Sequence, residues 1–201
     1  MTTHQKITHR QLQKEDTKRI ILDAAYFLFA EKGYSKTTMR TLAKHAGVGL
    51  GTIFKHFPDK PSLLAAAFQE DLSKVIRGSF KSLPPFGIKA QLLHITKNIY
   101  DFYAHNPKFS RALIKEVLFL EGEHGEVLNA QIMAFLNEIA ELLKTALQNG
   151  ELRAEINAHD GALAFWSFYF TGLLIGLKGA SFDTEEQLRT VETLIENHFL
   201  T

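Results

Sequence analysis

A chain of 201 residues, 45% apolar and 22% charged, suits one or two small domains and carries enough apolar side chains for a sizeable core, which argues against disorder. With no cysteine, disulfides, thiolate metal sites and a cysteine nucleophile are excluded. The net charge of +1 conceals an asymmetry: residues 1–60 hold 11 Lys and Arg against 5 Asp and Glu, whereas residues 61–201 hold 12 against 17. Basic charge is therefore concentrated in the first third, as expected of a phosphate-binding module joined to one that does not bind nucleic acid. The opening stretch MTTHQKITHRQLQKED is polar and lacks the apolar core of a signal peptide, so the cytoplasm is the expected location.

Residues 1–16 read as a flexible arm whose Lys6, Arg10 and Lys14 either enter a minor groove or stay in solvent, with solvent favoured. A first helix is predicted over 17–32, because Ile21, Ala24, Ala25 and Leu28 repeat as one buried face and Gly33 ends it. Thr37 or Thr38 then caps a second helix. From Thr38 to Lys60 the pattern is two short helices joined by a tight turn. Ala43 is small enough for a close crossing, Gly47 can take the left-handed turn, and Ile53 points back to Leu42, Val48 and Phe57. In such a helix-turn-helix the second helix, about Leu50–His56, lies in a DNA major groove with its N-terminal residues facing bases. Leu50 is then placed to pack on a thymine methyl and Thr52 to hydrogen-bond a base or phosphate. Lys55, His56 and Lys60 are better placed for phosphates.

Beyond Lys60 the helical rhythm continues with no strand-like alternation, so the fold class is all-α. Helices are predicted over 61–82, 88–105, 108–120, 126–149, 158–178 and 184–199, with the first break at Pro84-Pro85-Phe86-Gly87. The run ALAFWSFYFTGLLIGL, from Ala162 to Leu177, has no charge but falls short of the about 20 residues of a membrane span. A helix apolar all round should be buried all round. One small domain has too little to cover it, so a partner subunit is expected on its outer face. Gly172 and Gly176 would allow the partner's close approach, and Leu188, Val191, Leu194 and Ile195 supply a matching stripe on the last helix. Glu121, Glu123, His124 and Glu126 fit no common ligand spacing and read as a solvated loop, so no metal site is expected. Neither a Gly-x-Ser-x-Gly elbow, a phosphate-cradling loop nor a His-Glu-x2-His pair is present, and an enzyme has no support.

Between Arg19 and Leu64 the residues IIL-D-AA-YF-LF-AEKGYSKTT and LAKHAGV-GLGTIFKHFPDK keep the spacing of a known pattern. They resemble the DNA-binding domain of TetR/AcrR-like transcriptional regulators. The resemblance implies a three-helix helix-turn-helix domain at 17–60 and a helical ligand-binding and dimerisation domain at 61–201. It implies a ligand-responsive regulator, a repressor on a palindromic operator, working as a homodimer through its last two helices and needing no cofactor. It adds Thr38 and Arg40 to the DNA-contacting set. Two residues depart from the pattern: Gly49 stands where a capping Ser is usual, and Phe54 replaces a Tyr whose hydroxyl commonly touches a phosphate. In this family the C-terminal domain commonly binds a small inducer between its helices. Phe102, Tyr103, Phe119, Phe135, Trp166 and Tyr169 are the candidates for lining that site, for an apolar or aromatic effector. Trp166 and Tyr169 lead because each carries a polar handle. The alternative is a constitutive regulator whose C-terminal domain only dimerises; a cavity rather than a filled core separates the two.

Overall fold

The computed structural model describes residues 9–85, 87–179 and 181–200, and its described residues contain nine helices and no strand. Helices α1 (His9–Lys32), α2 (Met39–Ala46) and α3 (Leu50–His56) form the N-terminal unit. Helix α4 (Lys60–Lys81) packs on α1 and then on α5 (Ile88–Ala104), α6 (Pro107–Val117) and α7 (Gly122–Gln148). Helix α8 (Ala158–Lys178) packs on both α7 and α9 (Thr184–Phe199), and α9 also lies on α5.

The N-terminal unit is held by the residues its apolar pattern selects. Ile21, Leu28, Phe29, Leu42, Ile53, Phe57, Leu63 and Leu64 are all buried. Each such burial contributes about 1.5–3 kcal/mol relative to exposure. The same cluster continues without a break to Val191, Ile195 and Phe199, so the two units share one core. The Asp59 carboxylate accepts the Ser62 N–H at 2.7 Å and starts α4, with Pro61 in its first turn.

Helix α1 starts eight residues before its predicted Thr17, so residues 9–16 of the expected arm are helix; Lys6 and residues 1–8 lie outside the described residues, as does Phe86 of the predicted break. The extension is solvent-exposed and held by propensity, since Gln, Lys, Glu and Arg lose little rotamer freedom in a helix. Helix α7 also begins early, at Gly122, which puts Glu123, His124 and Glu126 on a helix instead of the predicted loop. Gly125 is where the turn from α6 requires a glycine: a Cβ there would collide with the backbone of Leu120.

The two glycines of α8 correct a further expectation. Gly172 and Gly176 are buried inside the subunit and do not face a partner. A Cβ at Gly172 would strike the Tyr100 hydroxyl, which donates to the Tyr169 carbonyl at 2.7 Å; one at Gly176 would sit 2.7 Å from the Phe182 ring. Val191 and Ile195 likewise turn into the subunit's own core. The exposed side of α8 carries Leu163 and Ile175, 54% and 52% exposed, with Ser167 and Thr171 between them. By length and composition α8 would also pass as a membrane span, yet it packs against α7 and α9.

Candidate nucleic-acid interface and effector cavity

The turn between α2 and α3 is built from backbone geometry. Thr38 caps α2 through a reciprocal box: its hydroxyl accepts the Thr41 N–H at 3.1 Å, and the Thr41 hydroxyl accepts the Thr38 N–H at 3.0 Å. Gly47, at φ 68°, supplies the left-handed residue that ends α2 and lets the Val48 N–H reach the Ala43 carbonyl at 3.0 Å. Gly49 occupies the N-cap of α3 in extended conformation and makes no side-chain cap. Ile53 and Phe57 are fully buried beneath α3.

On the outer side of this unit, Arg40 and Lys55 are exposed and Phe54 is 48% exposed, while Leu50, Thr52 and His56 are half-buried. Leu50 leans partly against the core, which shortens its reach toward a base. The Thr38 hydroxyl is already engaged in the capping box. Lys60 departs further from its expected phosphate role. Its ammonium donates to the Tyr34 and Thr37 carbonyls at 3.1 and 3.2 Å and sits 3.9 Å above the Tyr34 ring. Two of its three N–H donors thus clasp the α1–α2 turn to α4. Burial, then Lys14 and Lys18 on α1, lower the His56 pKa below its ordinary 6.5. His56 is accordingly a neutral hydrogen-bonding side chain at neutral pH.

In the C-terminal unit a cavity of about 140 Å³ opens between α4, α5, α6, α7 and α8. Tyr103, Phe135, Trp166 and Tyr169 line it, as the aromatic pattern anticipates. Two expected residues do not. Phe102 lines a separate hollow with Tyr26 and Phe109, and Phe119, just past α6, is 86% exposed. A helix end aims its last side chains according to the turn that follows, which aromatic content does not reveal. Sequence reasoning missed Leu128, Gln131 and Ile132, which join Phe135 on one wall; their i, i+3, i+4, i+7 spacing on α7 was the available signal. The lining contains no Asp, Glu, Lys, Arg or His. Burial raises the pKa of both Tyr103 and Tyr169, so both stay neutral.

The cavity wall also touches the DNA-reading unit. The Tyr34 hydroxyl donates to Glu116 Oε2 at 3.1 Å, between two cavity-lining residues of α6, Ile114 and Val117. On the first turn of α7 the His124 ring stacks on Phe57, which caps α3, at 5.6 Å and 24°; the next residue, Gly125, lines the cavity. Phe57 and Tyr34 therefore join the recognition unit to α6 and α7, two of the helices flanking the cavity.

Comparison with known proteins agrees with this architecture. Residues 21–67 match the sequence model of the family described as "Bacterial regulatory proteins, tetR family". The HTH-type transcriptional regulator AcrR of Shigella flexneri is 26% identical over 204 residues, covering 94% of this chain and 92% of that one. Among solved structures, the Thermus thermophilus repressor FadR in complex with lauroyl-CoA superimposes with a TM-score of 0.71 at 23% identity, over 92% of this chain and 96% of that one. A transcriptional regulator from Saccharomonospora viridis in complex with choline gives a TM-score of 0.70 at 17% identity, over 93% and 99%. Residues 21–67 thus carry a DNA-binding domain of the tetR family type, and along most of its length the chain is similar to bacterial transcriptional regulators.

Proposed function

We propose that this chain is a cytoplasmic, effector-responsive repressor that binds a twofold-symmetric operator as a homodimer. The observation that carries the reading is the contact of the cavity wall with the recognition unit, through Tyr34–Glu116 and Phe57–His124. A C-terminal domain that only dimerised would need neither a cavity nor that contact. Arg40, Phe54, Lys55 and the half-buried Leu50, Thr52 and His56 form the DNA-facing set, with Lys60 and Thr38 shaping it from behind. An effector in the cavity favours one position of the α6–α7 wall and, through Tyr34 and Phe57, one position of α3. Release of DNA then requires only that the effector prefer the conformation that fits the operator less well.

The dimer is supported by the outward face of α8, where Leu163 and Ile175 lie in solvent in the single subunit. Pairing that face with its copy, beside α9, gives a four-helix contact and one recognition helix per half-site. The two solved structures named above are complexes with choline and with lauroyl-CoA; here the uncharged, aromatic cavity favours a compact apolar effector. Selection of DNA sites from a random pool tests the reading. The expected sites are twofold symmetric, with half-site centres about 34–36 Å apart, and binding weakens steeply as salt rises. Asymmetric sites, or affinity indifferent to salt, would overturn it.

A further inference from the structure

We infer that the effector is an uncharged molecule about the size of one aromatic ring, bearing a neutral group that both donates and accepts a hydrogen bond to the Gln131 side chain. This rests on the reading of the cavity as the effector site.

Size comes first. A protein cavity of about 150 Å³ lined by aliphatic and aromatic groups holds one benzene ring, and this cavity, at about 140 Å³, is of that order. Charge is next. None of the lining side chains is ionisable in the physiological range, and a charged group brought in from water would lose its hydration with no counter-charge to replace it.

The deciding feature is Gln131. Its Nε2 and Oε1 are both buried, and neither has a hydrogen-bond partner among the described residues. Of the neighbours that share its wall, Leu128, Ile132 and Phe135 are apolar, and the Asn129 amide makes no hydrogen bond to it. A buried amide without a partner opposes folding, and a leucine of similar size would remove that cost. A ligand with a carboxamide or lactam edge matches both atoms at once: its carbonyl accepts from Nε2, and its N–H donates to Oε1. Its ring would lie among Phe135, Trp166 and Tyr169. Gln131 also borders a surface groove that holds Arg77, Lys81 and Glu138, so it stands at the boundary between the apolar chamber and charged side chains.

Trp166, the chain's one tryptophan, lines the cavity and reports occupancy by fluorescence. Four probes differ only in the group on the ring: benzamide, ethylbenzene, benzoate and benzyltrimethylammonium. Their affinities are measured on the full chain and on Gln131→Leu, with Gln131→Met as a second variant and thermal melts to confirm folding. Benzamide is expected to bind the native chain about tenfold more tightly than ethylbenzene, as one well-placed neutral hydrogen-bonding group supplies, and both variants should abolish that preference. Benzamide should also weaken operator binding. Equal affinity of benzamide and ethylbenzene, unchanged by the variants, would overturn the assignment of Gln131 while leaving the cavity an effector site. Tightest binding of benzoate would place a carboxylate against Arg77 and Lys81, and tightest binding of the ammonium probe would make the aromatic rings a cation site; either overturns the uncharged class alone. Failure of all four to perturb Trp166, with no heat in calorimetry, would overturn the effector site itself and this inference with it.

Discussion

The seven residues of α3 bury Ile53 and leave Phe54 and Lys55 in solvent, whereas the 21 residues of α8 turn Phe165, Tyr169, Leu173 and Leu177 inward and still expose Leu163 and Ile175. Helix α3 serves by what it presents, and the fold needs from it one buried face. Helix α8 serves by what it encloses, because it supplies one wall of the core, three aromatic side chains of the cavity (Trp166, Tyr169 and Phe170) and an uncovered apolar strip. The glycines follow the same division. Gly51 on α3 has nothing within 4 Å of its missing Cβ, while Gly172 on α8 has the Tyr100 hydroxyl against it. A surface helix tolerates change in its side chains and shows it in binding; an enclosed helix shows it first in stability.

The largest effect that would test this contrast is expected on the exposed strip of α8. Ile175→Arg places an unpaired charge in the proposed dimer contact and should weaken association by about 3–5 kcal/mol. Light scattering at micromolar concentration should give a dimer for the native chain and a folded monomer for the variant. A native monomer would remove the interface from α8, and a dimeric variant would move it elsewhere.

Next comes one substitution made in both helices. Gly172→Ala crowds the Tyr100 hydroxyl and should destabilise the chain by about 1–3 kcal/mol. Gly51→Ala fills open space in a helix and should stabilise it by about 0.5–1 kcal/mol. Urea unfolding of both variants decides the matter, and shifts of the same sign would mean that the two environments differ less than their contacts indicate.

Phe54→Tyr acts on the presenting face. Because the ring is half exposed, the added hydroxyl should reach a phosphate and strengthen operator binding by about 0.5–1.5 kcal/mol, with no change in melting temperature. Unchanged affinity across salt concentrations would put the ring edge out of reach of the backbone of the DNA.

The smallest effect is that of pH on His56. Its pKa in the folded chain lies below the ordinary 6.5, first because of burial and then because of Lys14 and Lys18. The unfolded chain therefore takes up this proton more readily. The residue's contribution to stability is full above about pH 6.5 and is lost as pH falls through the depressed value. Melting curves between about pH 7 and pH 5 should fall more for the native chain than for His56→Gln. Parallel curves would mean that the surroundings of His56 do not oppose its charge.

The recognition unit was legible because its rules are local. Ala43, Gly47 and Ile53 lie within one turn and two short helices, so spacing alone places them, and α3 falls on the residues its pattern marks. Thr38 and Lys60 were legible as neighbours of that unit but not in role, since a hydroxyl or ammonium near DNA is equally able to serve the protein's own backbone. The cavity was half legible. Aromatic content pointed to Tyr103, Phe135, Trp166 and Tyr169, and it pointed equally to Phe102 and Phe119, which face elsewhere.

By itself, the sequence determined that this protein is all-α, that its basic third folds as a helix-turn-helix, and that Leu50–His56 is the helix presented outward. Helical periodicity, glycine backbone freedom and charge segregation act over a few residues and survive in any folded context. Only the tertiary structure decided that Gly172 and Gly176 face α5 and α9 and not a partner, that Lys60 turns inward, and that Gln131 ends as an unpaired amide beside a cavity. Those outcomes depend on where helices distant in the chain cross, and a crossing is settled by the packing of all of them together.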